Sequence, residues 1–312
     1  MKNILTTLKI LISIACLYLT LAKIDFKSTG HFLYSHSGMI VLINGIVIAW
    51  LQMLFSSLRL TTLLKNTSVN LSFIEGFKIT IIGSFFSQTV LSFLSGDALR
   101  VWYLQRTGIQ LKTSANIIII DRLTGLLALV ILILCSLPFL LNLASIPNQL
   151  EILFSVFGGI VFALISLSVC IKKYSHRLKY QWLSDFIDLA KKIFLHSYQS
   201  FSGLFALSFM IHLCNIATIY LFMNCFQLPV SLMECSIIMI PVMLLMMMPI
   251  SVGGWGIREG SMMIGFGLIG LPAEPVLAAS IILGLSQLIA ALPGALLFLF
   301  QRSLNLIKAN HF

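Results

Sequence analysis

The sequence predicts an all-α polytopic membrane protein with about six full spans and two re-entrant helical hairpins. Three observations predict it. First, 59% of the 312 residues are hydrophobic and only 10% are charged, with a mean hydropathy of +1.02. A soluble domain carries about 25% charged residues, so the polar groups here are too few to cover a surface and lipid must be the solvent. Second, the apolar residues are gathered into runs of bilayer length, roughly 20 residues each. Third, the net charge of +10 lies mostly between those runs. There it sets topology and meets anionic inner-leaflet lipids, rather than forming a patch for nucleic acid.

The runs 4–22, 39–58, 114–141, 152–171, 201–226 and 276–300 are long enough to span. Lys2 and Lys9 precede the apolar stretch Ile10 to Ala22, as in a signal peptide, but no A-x-A cleavage site follows, so an uncleaved helix is expected. Two further regions, 79–110 and 234–271, are apolar but broken, at Ser95-Gly96-Asp97 and between Pro249 and Gly256.

Charge bias orients these elements. Lys172, Lys173, Arg177, Lys179, Lys191 and Lys192 mark a cytoplasmic segment over 172–198, and Arg302 and Lys308 place the C-terminus on the same side. Lys2 and Lys9 place the N-terminus there, and Arg59, Lys65 and Lys78 do so for the loop after the second span. The segments 142–151 and 227–234, without Lys or Arg, fall outside. A multi-pass protein of the plasma (inner) membrane with both termini cytoplasmic is expected.

A single span cannot join two cytoplasmic loops, so 79–110 is read as a hairpin entering and leaving on one side, and 234–271 as its counterpart from the other. Reading 234–250 and 257–271 as two full spans, giving eight in all, has the same parity, but arms of about 15 residues fall short of the bilayer. Residues 1–143 and 150–300 of this single transmembrane domain then repeat the same order with opposite orientation, the inverted repeat of many secondary transporters. Trp182, Phe186, Leu189 and Ile193 recur at helical spacing and predict an amphipathic stretch on the inner leaflet.

Ionisable residues inside apolar sequence are expensive, on the order of 3 kcal/mol each on insertion scales, and so point to function. Three clusters qualify. In Gly96-Asp97-Ala98-Leu99-Arg100, Asp97 can cap a following helix and Arg100 lies on the same helical face. A capped loop with a snorkelling arginine is the plainer reading. Asp121 and Arg122 lie two turns into a span. Adjacent helix residues diverge by 100°, so Arg122 is expected to face a cavity with Asp121 or Asp97 as partner. A structural ion pair is the plainer reading there. In the stretch from Pro249 to Gly260, Pro249 stops a helix, Gly253, Gly254 and Gly256 allow close approach, and a new helix starts near Ile257. Arg258 at that start makes a site suited to a phosphate, with Glu259 to hold it.

Other residues carry less. Met243 to Met248 are read mainly as filler. Cys16, Cys135, Cys170, Cys214, Cys225 and Cys235 form no CxxC pair and are read as small apolar residues. Of the histidines only His212 lies in a span, where a hydrogen-bonded packing role is expected. No G-x-S-x-G, P-loop or HExxH is present, so no catalytic residue, cofactor or metal is expected.

The three clusters resemble the lysylphosphatidylglycerol synthase transmembrane region, or flippase-like domain, family. Its G-D-x-x-R motif matches Gly96 to Arg100. Its (E/D)-R-L-x-G motif matches Asp121-Arg122-Leu123-Thr124-Gly125, with Asp121 for the commoner glutamate. Its P-x-S-x-G-G-x-G-x-R-E-G motif matches Pro249 to Gly260, and Pro293-Gly294 also fits. The resemblance covers nearly the whole chain. It implies the membrane region that moves aminoacylated phospholipid between leaflets in two-part synthases, without the soluble synthesising domain.

The leading expectation is therefore a flippase- or scramblase-like translocator of a phospholipid or a polyprenyl-phosphate-linked lipid. Arg258 and the backbone of Gly253, Gly254 and Gly256 would bind the phosphate. Arg100 and Arg122 would line an inner cavity, with Asp97, Asp121 and Glu259 as their partners. Without an ATP motif, transport would be downhill or coupled to an ion or proton. Alternatives are an intramembrane enzyme acting on lipid-linked substrates, or an accessory subunit serving a partner enzyme in lipid-linked glycan synthesis. Assembly as a homo-oligomer is open to each.

Overall fold

A computed structural model describes residues 36–66, 71–89, 93–141, 186–191, 198–247, 251 and 253–309. Eight main helices follow in order: α1 His36–Asn66, α2 Phe73–Thr89, α3 Phe93–Arg106, α4 Leu111–Leu141, α5 Tyr198–Cys225, α6 Leu232–Met247, α7 Ile257–Gly267 and α8 Ala273–Ala309. The described residues contain no strand. The expected spans 4–22 and 152–171 lie outside them, as do Trp182 and Ile193. Within 186–191 the chain is helical, and Phe186 and Leu189 pack onto the protein's own core.

Among the described residues four helices are long and apolar enough to cross a membrane: Gly38–Lys65, Leu111–Ser136, Ser202–Cys225 and Ala273–Phe300. They carry outward-facing apolar side chains such as Val47 at 60% and Phe300 at 66% exposure, which lipid accommodates and water would not. The chain is thus a multi-pass membrane protein. α1 outruns its expected span. No glycine, proline or turn former interrupts residues 59–65, so the helix continues to Asn66. Arg59 is therefore not in a cytoplasmic loop, and its use as a loop marker is corrected.

Both broken regions are pairs of short packed helices, α2 with α3 and α6 with α7. The second break falls where the glycines predict it, and α7 begins at Ile257. The first break precedes its expected position. α3 already begins at Phe93, so Ser95, Gly96 and Asp97 lie inside the helix, and the expectation that Asp97 caps it is corrected. Gly96 serves close packing instead, since a Cβ there would meet Ser87 Oγ and the Gly83 carbonyl oxygen on α2.

The halves are built alike. Long, short, short and long helices follow in α1–α4 and again in α5–α8. The first helices of the two halves, α1 and α5, pack together. Exchanging the halves maps every other closely packed pair onto another: α2–α8 onto α6–α4, α1–α8 onto α5–α4, α1–α2 onto α5–α6, α1–α4 onto α5–α8, α2–α3 onto α6–α7, and α3–α4 onto α7–α8. Each first arm also starts on the same device. Ser72 and Glu75 at α2, and Ser231 and Glu234 at α6, form reciprocal side-chain to backbone hydrogen bonds, the capping box that occupies free N–H groups at a helix start.

Candidate functional site

Among the described residues the buried charges form two separate groups. The first spans α1, α3 and α4. Arg122 grips Asp97 through both Nε and a terminal nitrogen, each at 2.7 Å. Arg59 grips Asp121 in the same forked way at 2.7 and 2.9 Å, and donates a further bond to Ser208 Oγ on α5 at 3.0 Å. Such bidentate, charge-assisted pairs are the strong ones. Asp121 and Arg122, adjacent in sequence, diverge to different partners as the 100° helical step requires. Arg100 stands 3.7 Å from Asp97, its Nε has no hydrogen-bond partner, and its side chain lies against Gly83. Three arginines thus share two aspartates.

The second group sits at the start of α7. Gly253, Gly254 and Gly256 have φ of 59°, 81° and 84°, left-handed values that glycine adopts without strain. This turn brings Arg258 back onto Glu259, whose carboxylate accepts from Arg258 at 2.5 and 3.0 Å. The other carboxylate oxygen accepts from Gly256 N at 2.5 Å and so closes the helix start. Ser280 on α8 accepts from Arg258 Nε at 3.1 Å, and the Trp255 ring covers the guanidinium at 4.6 Å. Arg258 is wholly buried. The fit is tight enough that a Cβ on Gly284 would meet the Arg258 and Trp255 side chains.

Between the halves lies a cavity of about 210 Å³, room for roughly seven waters at about 30 Å³ each. The tips of both hairpins meet there, since a Cβ on Gly253 would stand 2.9 Å from the Gln88 carbonyl oxygen. Arg59 and Arg122 bring positive charge to its wall, Met239, Met243, Met246 and Met247 form an apolar side, and among the described residues no carboxylate lines it. A polar chain crosses it: Gln88 donates to Gln287, and Gln287 to Asn215, each at 3.4 Å. Gln88 Oε1 and Ser87 Oγ are left without partners. Near-neutral side chains, two guanidiniums and spare polar atoms make a wall for an anion with polar substituents.

Of the residues singled out in the sequence, Arg122, Gly253 and Gly254 line this cavity. Asp97 and Asp121 stand behind it as arginine partners. Arg100 is buried away from it, which corrects its expected place on the wall. Arg258, Glu259 and Gly256 are enclosed in the second group and do not reach it. Sequence reasoning missed Arg59, Ser87, Gln88, Asn215 and Gln287. Arg59 was recognisable only by extending α1 through 59–65; the others are uncharged and carry no pattern. His212 has the hydrogen bond expected of it, with Nε2 3.0 Å from the Gly125 carbonyl oxygen, and also lines the cavity. Among the described residues no three His, Cys, Asp or Glu side chains gather to hold a metal.

The family model described as the lysylphosphatidylglycerol synthase TM region matches residues 6–294. No curated protein matches the chain.

Proposed function

The chain belongs to the lysylphosphatidylglycerol synthase TM region family, and from that premise we propose that it moves a lipid with a phosphate-bearing headgroup between leaflets of the plasma membrane. The observation that carries this reading is the cavity between the two hairpin tips, lined by Arg59 and Arg122 and, among the described residues, by no carboxylate. Its volume accommodates a headgroup but not acyl chains, which stay in the bilayer beside the exposed apolar faces of α1, α4 and α8. The four methionines on α6 adapt to the glycerol and first methylenes, as unbranched thioethers do.

In this reading Arg122 and Arg59 touch the phosphate, while Asp97 and Asp121 hold them when the cavity is empty. The backbone of Gly253 and Gly254 borders the headgroup, and Arg258 with Glu259 fixes the turn that carries those glycines. Arg100, the third arginine beside two aspartates, leaves the group with a net positive charge that draws an anion. Two like halves meeting at a central polar site is the arrangement through which rocking movements alternate access in transporters.

Leaflet exchange of labelled phosphatidylglycerol in liposomes containing the purified protein tests the proposal. Exchange above the protein-free rate is expected. Arg122→Gln, in protein that still unfolds cooperatively, is expected to slow it by about 10- to 100-fold, the worth of one charge-assisted hydrogen bond. Wild-type exchange by that variant, or none by the native protein with any phospholipid, rejects the reading.

A further inference from the structure

We infer that anion entry into this cavity is coupled to proton uptake by His212, so that each anionic headgroup carried is accompanied by a proton. The identity of the anion, a phosphate diester, rests on the function proposed above; the coupling rests on where this histidine stands.

His212 lies in the middle of α5, is 8% exposed, and lines the cavity. Its Nε2 is 3.0 Å from the carbonyl oxygen of Gly125 on α4. A carbonyl oxygen only accepts, so Nε2 carries the hydrogen, and the neutral ring keeps its lone pair on Nδ1. Nδ1 has no partner among the described residues. It is therefore the one ring atom at which a second proton can be taken up.

The charges around the ring decide when that happens. From α1 comes Arg59, whose guanidinium bonds Ser208 one turn before His212 on the same helix. From α4 come Arg122, on the cavity wall, and Asp121, which Arg59 holds in its fork. α6 presents methionines to the cavity and α8 presents Leu283 and Gln287, and neither brings a titratable group to the described wall. In the empty cavity Asp121 and Asp97 hold these two guanidiniums from behind, and among the described residues no carboxylate faces His212 from the wall. An imidazolium there would add an unpaired positive charge in a low-dielectric space. A diester entering the cavity reverses this field: its negative charge answers the imidazolium, and the imidazolium strengthens retention of the diester. Such coupling is reciprocal by thermodynamic necessity. It also gives translocation a driving force, since a chain that carries a proton with its lipid responds to a proton gradient.

The sign follows directly. The occupied site holds the proton more tightly than the empty one, so protons are taken up on binding. Anion affinity is then highest at low pH, and it falls by up to tenfold per pH unit where one proton is taken up per anion.

The test uses the full-length protein in detergent, weakly buffered, with a pH-indicator dye. Two probes are titrated between about pH 5 and 8, the range in which histidine changes charge: glycerophosphoglycerol, a free diester with no titrating group there, and dihexanoyl phosphatidylglycerol, the same diester on a lipid. They separate a lipid-borne from a free diester, and whichever binds must bring the proton. Uptake approaching one proton per bound anion is expected, together with the pH-dependent affinity. His212→Gln keeps a donor for the Gly125 carbonyl and is expected to bind without proton uptake and with pH-independent affinity. Binding by the native protein without uptake overturns the coupling alone. Uptake that survives in His212→Gln assigns the proton elsewhere and also overturns it. If neither probe binds, the headgroup reading fails and the coupling with it.

Discussion

The two halves place buried charge at comparable points, where the second short helix meets the long helix after it, yet they use it differently. In the first half Asp97 on α3 meets Arg122 on α4 at the edge of a cavity, and the Arg122 side chain keeps 29% of its surface exposed. In the second half Arg258 and Glu259 on α7 meet Ser280 on α8, and both charged side chains are sealed at 0% and 1%. An arginine with an exposed edge can trade its carboxylate for a ligand. One enclosed by a carboxylate, a hydroxyl and an indole ring holds a turn in place. The comparison teaches that the most distinctive motif in the sequence builds the scaffold of the site, while less distinctive charges form its wall.

The largest expected effect tests the sealed half. Arg258→Ala leaves Glu259 buried without its partner and is expected to cost about 3–5 kcal/mol of stability, read from chemical unfolding in detergent. Arg122→Ala is expected to cost less than half of that, because its site is open to the cavity and Arg100 remains beside Asp97. Equal losses in the two variants would show that the two groups do the same job.

Much of this architecture was legible in the sequence. The four described spans, the two pairs of short helices and the start of α7 follow from apolar run length, the breaks in the apolar runs and the run of glycines. What the sequence concealed has physical causes. Arg59 resembles any basic residue beyond a span, because only packing shows that α1 continues and turns it onto Asp121. Asp97 resembles a cap, because Gly96 before it reads as a turn, and only the fold shows that α3 has already begun at Phe93. Ser87, Gln88, Asn215 and Gln287 are uncharged residues on three different helices, and only the tertiary fold brings them to one cavity. Arg258 stood out as a costly charge at membrane depth, but cost alone does not separate a binding group from a paired structural one.

A mid-sized effect contrasts the glycines of the two second arms. Gly96 on α3 approaches the backbone of Gly83, so Gly96→Ala must push α2 and α3 apart and is expected to cost about 1–3 kcal/mol as overpacking does. Gly260 on α7 has open space where a Cβ would stand. Gly260→Ala is therefore expected to stabilise by up to about 1 kcal/mol through helix propensity. Unfolding midpoints that move in opposite directions would bear out the asymmetry; a loss at Gly260 would mean that it packs more closely than Gly96's counterpart should.

The smallest effects test the likeness rather than the difference. The Glu75 carboxylate accepts from Ser72 N at 3.1 Å and from Ser72 Oγ at 2.7 Å, and Glu234 accepts from Ser231 N at 2.8 Å and from its Oγ at 2.7 Å. Ser72→Ala and Ser231→Ala are each expected to cost about 1 kcal/mol, as lost helix caps do, and by nearly the same amount if the two hairpins start alike. The first also carries a pH signature. The Ser72 hydroxyl, and then its backbone N–H, hold the Glu75 carboxyl below its ordinary value. A lowered value in the folded chain stabilises above the unfolded value of about 4.3, and that contribution is lost as pH falls through the folded value. The stability gap between the native chain and Ser72→Ala should therefore be full at neutral pH and narrow on acidification. A gap that stays constant down to about pH 3 would assign the Ser72 contribution to its hydroxyl bond with the Glu75 backbone N–H, not to the carboxylate.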